Sequence, residues 1–267
     1  MSRVPKVALT LLLAAGVAIG VLAIAPPTSL LDLWLTYATG GRVRLAQTEG
    51  TLWRGAARIV LVDPARALDS TQASDPSPAP LQGLALPGVM RWTLSPRLLI
   101  GLLDARVTLA EGGVPVHVVG SVATGVRVDA GRFEWIGLAL SGLGSPWNTV
   151  RPVGSLRVQW EPMVIDSAGI RGTLTLELAD VTSAMSPVRP LGTWRLAVRA
   201  AGESAALRME TLSGPVHLEG DGQWNARGGL SLRLAAWPDS PMQTALTPLL
   251  NLIGPREGGR TIIRLGA

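Results

Sequence analysis

Residues 173–178 read TLTLEL and residues 230–235 read LSLRLA, so that leucine alternates with polar, charged or small residues. Successive side chains of a β-strand point to opposite faces of a sheet, and this period of two separates the leucines from Glu177 and Arg233. We expect the two charged side chains to point to water. The leucines are predicted to form an apolar groove on the concave face of a sheet: Leu174, Leu176, Leu178, Leu230, Leu232 and Leu234.

The same alternation runs through most of residues 42–239, with Gly, Pro or Ser at nearly every junction. Short alternating segments separated by turns are typical of an antiparallel sheet. After this region a helix is predicted near the C-terminus, over residues 242–253, with Ser240 as its cap and Gly254 at its end. The predicted fold is therefore mainly β: a curved antiparallel sheet, either a β-groove or a sheet folded over on itself, with one short C-terminal helix and a last strand.

Two segments of the chain resemble each other. Residues 91–120 and 193–220 each contain a tryptophan near the start and Pro-Val-His near the end. This similarity predicts a duplicated β-unit. Its histidines, His117 and His217, are interpreted as strand residues with a structural role, because a zinc site would need further ligands and no carboxylate is at useful spacing from His117.

The N-terminal stretch predicts a membrane anchor. Residues 7–25 contain no charged side chain, and a helix of this length, at ~1.5 Å per residue, approaches the ~30 Å of the hydrocarbon core. Arg3 and Lys6 precede it, so the N-terminus is expected in the cytoplasm and the rest of the chain in the periplasm. A cleaved signal peptide is the alternative, but the apolar run is long and Pro26 and Pro27 follow it directly.

The expected organisation is a cytoplasmic stub and anchor over residues 1–27 and one periplasmic β-domain over residues 28–267. Within the anchor, Gly16 and Gly20 have the spacing of a helix–helix contact, although such pairs also arise by chance. A short helix after Pro27 would place Trp34 and Tyr37 near the membrane surface. Residues 63–82 are rich in Pro, Ser, Ala and Asp and are interpreted as a disordered insertion, with a domain boundary as the alternative.

Composition excludes several classes of function. The net charge is +5 with no basic cluster, so nucleic acid is not expected as a partner. There is no cysteine, and we find none of the common motifs of hydrolases, metalloproteases or nucleotide-binding enzymes. We therefore predict no enzymatic activity, no catalytic or metal-binding residues and no cofactor. The nine tryptophans, against one phenylalanine, are interpreted either as core residues or as the lining of an apolar trough.

Several features, taken in order, resemble one protein family over nearly the whole chain. They are the anchor before Pro26, the GTLWRG element at residues 50–55, the RWTLSP segment at residues 91–96, and the LLNLIG run at residues 249–254. The chain is similar to the type II secretion system protein N. This resemblance implies an inner-membrane accessory subunit without catalytic residues, which works with other inner-membrane subunits to move folded proteins across the outer membrane. The insertion at residues 63–82 departs from the family pattern.

The GTLWRG element is also similar to a second class, the inner-membrane-anchored β-groove proteins of lipid traffic. This resemblance implies a lipid carrier between the two membranes, with membrane lipid as its partner. The sequence leaves both functions open.

Overall fold

The computed structural model describes residues 26–62, 83–109, 113–121, 123–143 and 147–266. The predicted anchor with Gly16 and Gly20, and the predicted insertion at residues 63–82, lie outside the described residues. Among the described residues no helix is both long enough and apolar enough to cross a bilayer.

The described part of the chain is mainly β, as predicted, and seventeen strands join in one sheet. The strands are β1 Val43–Gly50, β2 Arg54–Val62, β3 Gly83–Ala85, β4 Met90–Leu94, β5 Leu102–Thr108, β6 Val116–Ser121, β7 Gly125–Val128, β8 Gly131–Ala139, β9 Pro152–Trp160, β10 Met163–Asp166, β11 Gly169–Ser183, β12 Gly192–Gly202, β13 Ser204–Ser213, β14 Val216–Asn225, β15 Gly229–Pro238, β16 Arg256–Glu257 and β17 Arg260–Gly266. The α-helices are α1 Ser29–Ala38, α2 Trp147–Val150 and α3 Gln243–Ile253. Short 3₁₀ turns occupy Pro96–Ile100, Leu140–Leu143 and Ser240–Met242.

The sheet is antiparallel at every pairing and follows the chain from one edge to the other. β1, β2, β4, β5, β6 and β7 pair in sequence order. β7 and β8 lie end to end along one line of the sheet, and β10 and β9 lie end to end along the next. Between these two lines, β7 pairs with β10 and β8 pairs with β9. The long strand β11 then pairs with both β9 and β10, and β12, β13, β14, β15 and β17 follow. Nearly all contacts are therefore between strands that are close in sequence.

The sheet curls so that its apolar face lies inside. Ile59 and Leu61 of β2 belong to the same cluster as Phe133 and Trp135 of β8. In the sheet, however, three strands, β4, β5 and β6, lie between β2 and the line that β7 and β8 form. Register shifts occur in β8 after Trp135 and in β11 after Leu178, where Asp180 has a φ of 51°. Such bulges bend a strand and increase its twist, which explains the curvature at this point.

The predicted alternation in β15 is confirmed. Leu232 and Leu234 are 5% and 2% exposed, whereas Arg233 between them is exposed. Leu230 is partly buried and packs on the same cluster. A shift of one residue would have reversed the two faces, so the leucine period sets the register here.

The predicted C-terminal helix is present as α3 and covers one end of the apolar face. Leu246, Leu249 and Leu250 are buried against β15 and β17. Ser240 is not the cap of this helix, because the 3₁₀ turn Ser240–Met242 comes first and Met242 occupies the cap position. A proline in the first turn suits either kind of helix, and so the sequence does not distinguish them.

The two similar segments occupy equivalent meanders. Residues 91–120 form β4, β5 and β6, and residues 193–220 lie in β12, β13 and β14. Trp92 and Trp194 both lie on the inner face of the first strand, and each indole N–H donates to a backbone carbonyl.

Candidate functional site

The inner face of the sheet is apolar. Four clusters of buried side chains lie along it, and each is bordered by half-buried apolar residues. The half-buried residues of the cluster under α3 include Leu196, Val198, Met209, Leu218 and Trp224. Their partial exposure leaves an open apolar strip beside the part that α3 covers.

The six leucines of the predicted groove all lie on this inner face, but in two places. Leu178, Leu230, Leu232 and Leu234 belong to the cluster that α3 covers. Leu174 and Leu176 are half-buried and pack with Val158 and Trp160 instead. Leu178 lies on β11 together with Leu174 and Leu176, whereas β12, β13 and β14 separate β11 from the three leucines of β15. The sequence pattern does not predict this separation.

Tryptophans cover glycines at three points of the inner face. A Cβ built on Gly55 would lie 2.3 Å from Cζ2 of Trp92, and one on Gly131 would lie 2.3 Å from Cζ2 of Trp160. Trp194 lies over Gly192 of its own strand, where the corresponding distance is 3.0 Å. These three tryptophans are therefore core residues.

Trp135 differs from the other tryptophans in its hydrogen bonding. Its side chain is 7% exposed, and its Nε1 is buried with no hydrogen-bond partner among the described residues. Its surroundings are apolar, with Leu84, Leu138 and Leu140 in the same cluster. An unpaired buried donor costs ~1–3 kcal/mol, so this N–H is a place where a ligand with an acceptor oxygen would be stabilised.

The outer face of the sheet is polar and carries a ladder of alternating charge across five neighbouring strands. Arg157 Nε donates to Glu134 at 2.9 Å, and its Nη1 donates to Glu177 at 2.7 Å. Arg195 lies 3.7 Å from Glu177 and 3.1 Å from Glu210. The two glutamates beside Arg157 raise its pKa, mainly through the hydrogen bond that Arg157 donates to Glu134. Glu177 is thus on the polar face, as the alternation predicts, but it is held by two arginines.

A shallow concavity of about 530 Å³ opens on the outer face over β1, β2, β4 and β5. Arg54, Arg91 and Arg106 line it together with Glu49. All three arginines are exposed, and none of them forms an ion pair with a described residue. Strand pairing brings them together, because Arg54 and Arg106 both lie opposite Thr93. Arg54 and Arg91 are 37 positions apart in the sequence, and Arg91 and Arg106 are 15 apart, so the sequence alone does not predict this basic surface.

Both histidines lie on the outer face and contact carboxylates. His117 Nε2 is 2.9 Å from Asp104 Oδ1, and its Nδ1 is 3.8 Å from Asp129. The interpretation that no carboxylate accompanies His117 is therefore wrong, since antiparallel pairing joins residues that are distant in sequence. The hydrogen bond from His117 lowers the pKa of Asp104. Within the described residues no group of three His, Cys, Asp or Glu side chains could hold a metal ion.

His217 belongs to a second contact of the same kind. Its Nε2 lies 2.7 Å from Asp239, and its ring stacks on Trp237 at 5.3 Å between centroids. The guanidinium of Arg260 lies over the same indole, 4.0 Å from its centroid. These contacts join β14, β15 and β17 on the outer face and account for His217 as a structural residue.

Comparison with known proteins gives one family. The family model for protein N of the type II secretion system matches residues 41–264, which is the span of the sheet from the start of β1 into β17. No curated protein matches the chain, and no solved structure matches it.

Proposed function

The chain belongs to the type II secretion system protein N family, and from this membership we propose that it is a non-catalytic accessory subunit of that system. In this role it supports the transport of folded proteins from the periplasm across the outer membrane, together with other inner-membrane subunits. The observation that carries the proposal is the extent of the match, which takes in the sheet from β1 to β17.

The proposed topology follows from the sequence. Residues 7–25 would anchor the chain in the inner membrane with the N-terminus in the cytoplasm, and residues 28–267 would form the periplasmic domain. A contact of Gly16 and Gly20 with another helix belongs to the same proposal.

The arginine concavity is the surface that best suits a protein partner. Arg54, Arg91 and Arg106 project from three neighbouring strands without a carboxylate partner among the described residues. Arginine is favoured at protein interfaces because its planar group binds carboxylates in a bidentate way. We therefore assign this surface to an acidic segment of another secretion subunit.

Deletion of the gene tests the proposal. We expect folded exoproteins to accumulate in the periplasm, and expression of the full-length chain should restore their release. The localisation of a periplasmic enzyme that is not secreted serves as the control for leakage. Unchanged release of every exoprotein from the deletion strain would contradict the proposal.

A lipid carrier is the second candidate, and the inner face favours it. A half-buried apolar strip suits an acyl chain. The unpaired Trp135 N–H, in another cluster of the same face, suits an acceptor oxygen. This function would leave exoprotein release normal in the deletion strain and raise the permeability of the outer membrane. Measuring the uptake of a large antibiotic alongside secretion separates the two functions.

A further inference from the structure

Helix α1 has apolar side chains both on the face that packs against the sheet and on the face that is exposed. Leu31 and Leu35 pack inward on the cluster that contains Leu45 and Trp92. The opposite side carries large exposed side chains. They are Leu30 at 44%, Leu33 at 67%, Trp34 at 63% and Tyr37 at 89% exposure. These four residues, called here the outward stripe, recur at the spacing of one helix face.

The polar side chains in the body of α1 do not reach this face. Asp32 accepts from the backbone N–H of Leu45 at 2.7 Å and pairs with Arg44 at 3.1 Å. The hydroxyl of Thr36 donates to the Asp32 carbonyl at 2.7 Å. A helix on the surface of a water-soluble domain normally carries polar residues outward, and one that is apolar all round is normally covered.

The position of α1 in the chain indicates what covers it. The backbone N–H of Leu52 donates to Pro26 at 2.9 Å, and Pro27 pairs with Thr51. The chain is therefore fixed to the β1–β2 turn immediately after residue 25, where the proposed anchor ends. Only three residues separate that point from Ser29, and even a fully extended chain of this length spans about 10 Å.

We propose that the outward stripe lies in the periplasmic surface of the inner membrane, at the boundary between headgroups and acyl chains. Tryptophan and tyrosine are favoured at this depth, and a helix of this kind buries its apolar face by about 5–10 Å. Asp32 then couples the bilayer to the sheet, because it holds edge strand β1 against the helix. The inference rests on the proposed anchor and adds to it a fixed orientation of the domain, with the β1 edge on the membrane.

The absence of cysteine from the chain makes the test direct. Leu33→Cys and Tyr37→Cys in the full-length protein are labelled with an environment-sensitive fluorophore and reconstituted in vesicles of phosphatidylethanolamine and phosphatidylglycerol. Asn225→Cys, at the exposed end of β14, is the control. At positions 33 and 37 we expect a blue-shifted emission, loss of quenching by iodide and strong quenching by brominated lipid. At position 225 we expect quenching by iodide alone.

Carbonate extraction distinguishes failure of the inference from failure of the anchor. A chain that resists extraction but is quenched by iodide at positions 33 and 37 would overturn the inference and leave the anchor standing. Release of the chain by carbonate would overturn both. Protection from iodide without quenching by brominated lipid would show that a protein, such as a second copy, covers the stripe, and this also overturns the inference.

Discussion

The indole of Trp160 lies over Gly131 on the neighbouring strand, and its Nε1 donates to the Asp129 carbonyl oxygen at 2.8 Å. Trp92 has the same relation to Gly55 and donates to Leu52 at 3.0 Å. A glycine weakens a strand because it offers no side chain to pack, and an aromatic ring from the adjacent strand replaces the missing contact. The ring and the glycine are therefore one packing unit of the inner face.

Gly131→Ala is expected to destabilise the protein. Its Cβ would lie 2.3 Å from Trp160 Cζ2 and would displace the ring, and overpacking of this kind costs ~1–3 kcal/mol. Gly228→Ala is the matched control, since nothing lies within 4 Å of a Cβ at that turn position. Urea unfolding of the two variants in detergent, followed by tryptophan fluorescence, measures the difference. Equal midpoints would show that the ring does not depend on the glycine.

Trp135→Phe and Trp160→Phe should differ in their effect on stability. Both changes remove one ring, but the first removes an unpaired N–H and the second removes a hydrogen bond of 2.8 Å. A hydrogen bond contributes ~0.5–1.5 kcal/mol and an unpaired buried donor costs ~1–3 kcal/mol. We expect the free energy of unfolding of Trp135→Phe to exceed that of Trp160→Phe by about 1 kcal/mol or more. An equal loss in both variants would indicate that the Trp135 N–H has a partner.

Asp166→Asn should flatten the acid dependence of stability. The hydrogen bond from Arg171, aided by the backbone N–H of Ala168, lowers the pKa of Asp166 below its ordinary value of 3.8. A carboxyl whose pKa is lower in the folded state stabilises the protein above the pKa of the unfolded chain, and this contribution disappears as the pH falls through the folded value. The unfolding midpoint of the wild type should therefore fall more steeply below about pH 4 than that of the variant.

Asp221→Asn is the control for this comparison, because the carboxylate of Asp221 forms no ion pair with a described residue. Thermal unfolding between about pH 3 and pH 7 spans the relevant range. Identical acid limbs for the wild type and Asp166→Asn would refute the role of Arg171.

Arg91→Glu should impair secretion without impairing folding. The substitution places a carboxylate in the same concavity as Arg54 and Arg106 and would repel an acidic partner segment. We expect this variant to restore exoprotein release in the deletion strain less well than the wild type. Arg227→Glu is the control, because it makes the same change of charge at a site outside the concavity. The side chain of Arg227 is 86% exposed in the turn before β15, and its contact with Glu203 is long, at 3.8 Å. Full restoration of exoprotein release by both variants would contradict the assignment of the concavity as a partner-binding surface.

The sequence predicted the parts of the fold that depend on local pattern. The alternation of leucines predicted which face of the sheet each residue of β15 occupies. The positions of proline and glycine predicted where α3 and the last strand lie in the sequence. The alternation of residues does not predict which strands pair with each other or which parts of the sheet curl over one another. The separation of Leu174 from Leu232 and the contact of His117 with Asp104 both follow from strand pairing.

The basic concavity on the outer face also depends on strand pairing and is not predicted by the sequence alone. Arg54, Arg91 and Arg106 are isolated along the chain, and each alternates normally with apolar neighbours. The pairing of β2 with β4, and of β4 with β5, puts them on one surface. Trp34 and Tyr37 of α1, in contrast, are expected near the membrane surface from the sequence alone, because a short helix is predicted directly after the anchor.

Co-purification from cells tests most directly whether the chain is a subunit of the type II secretion system. The full-length chain carries an affinity tag at its C-terminus, proteins in living cells are cross-linked, and the captured proteins are quantified against an untagged strain. We predict enrichment of other inner-membrane subunits of the secretion system. Their absence from the captured material, in cells whose secretion system is assembled and active, would contradict the account.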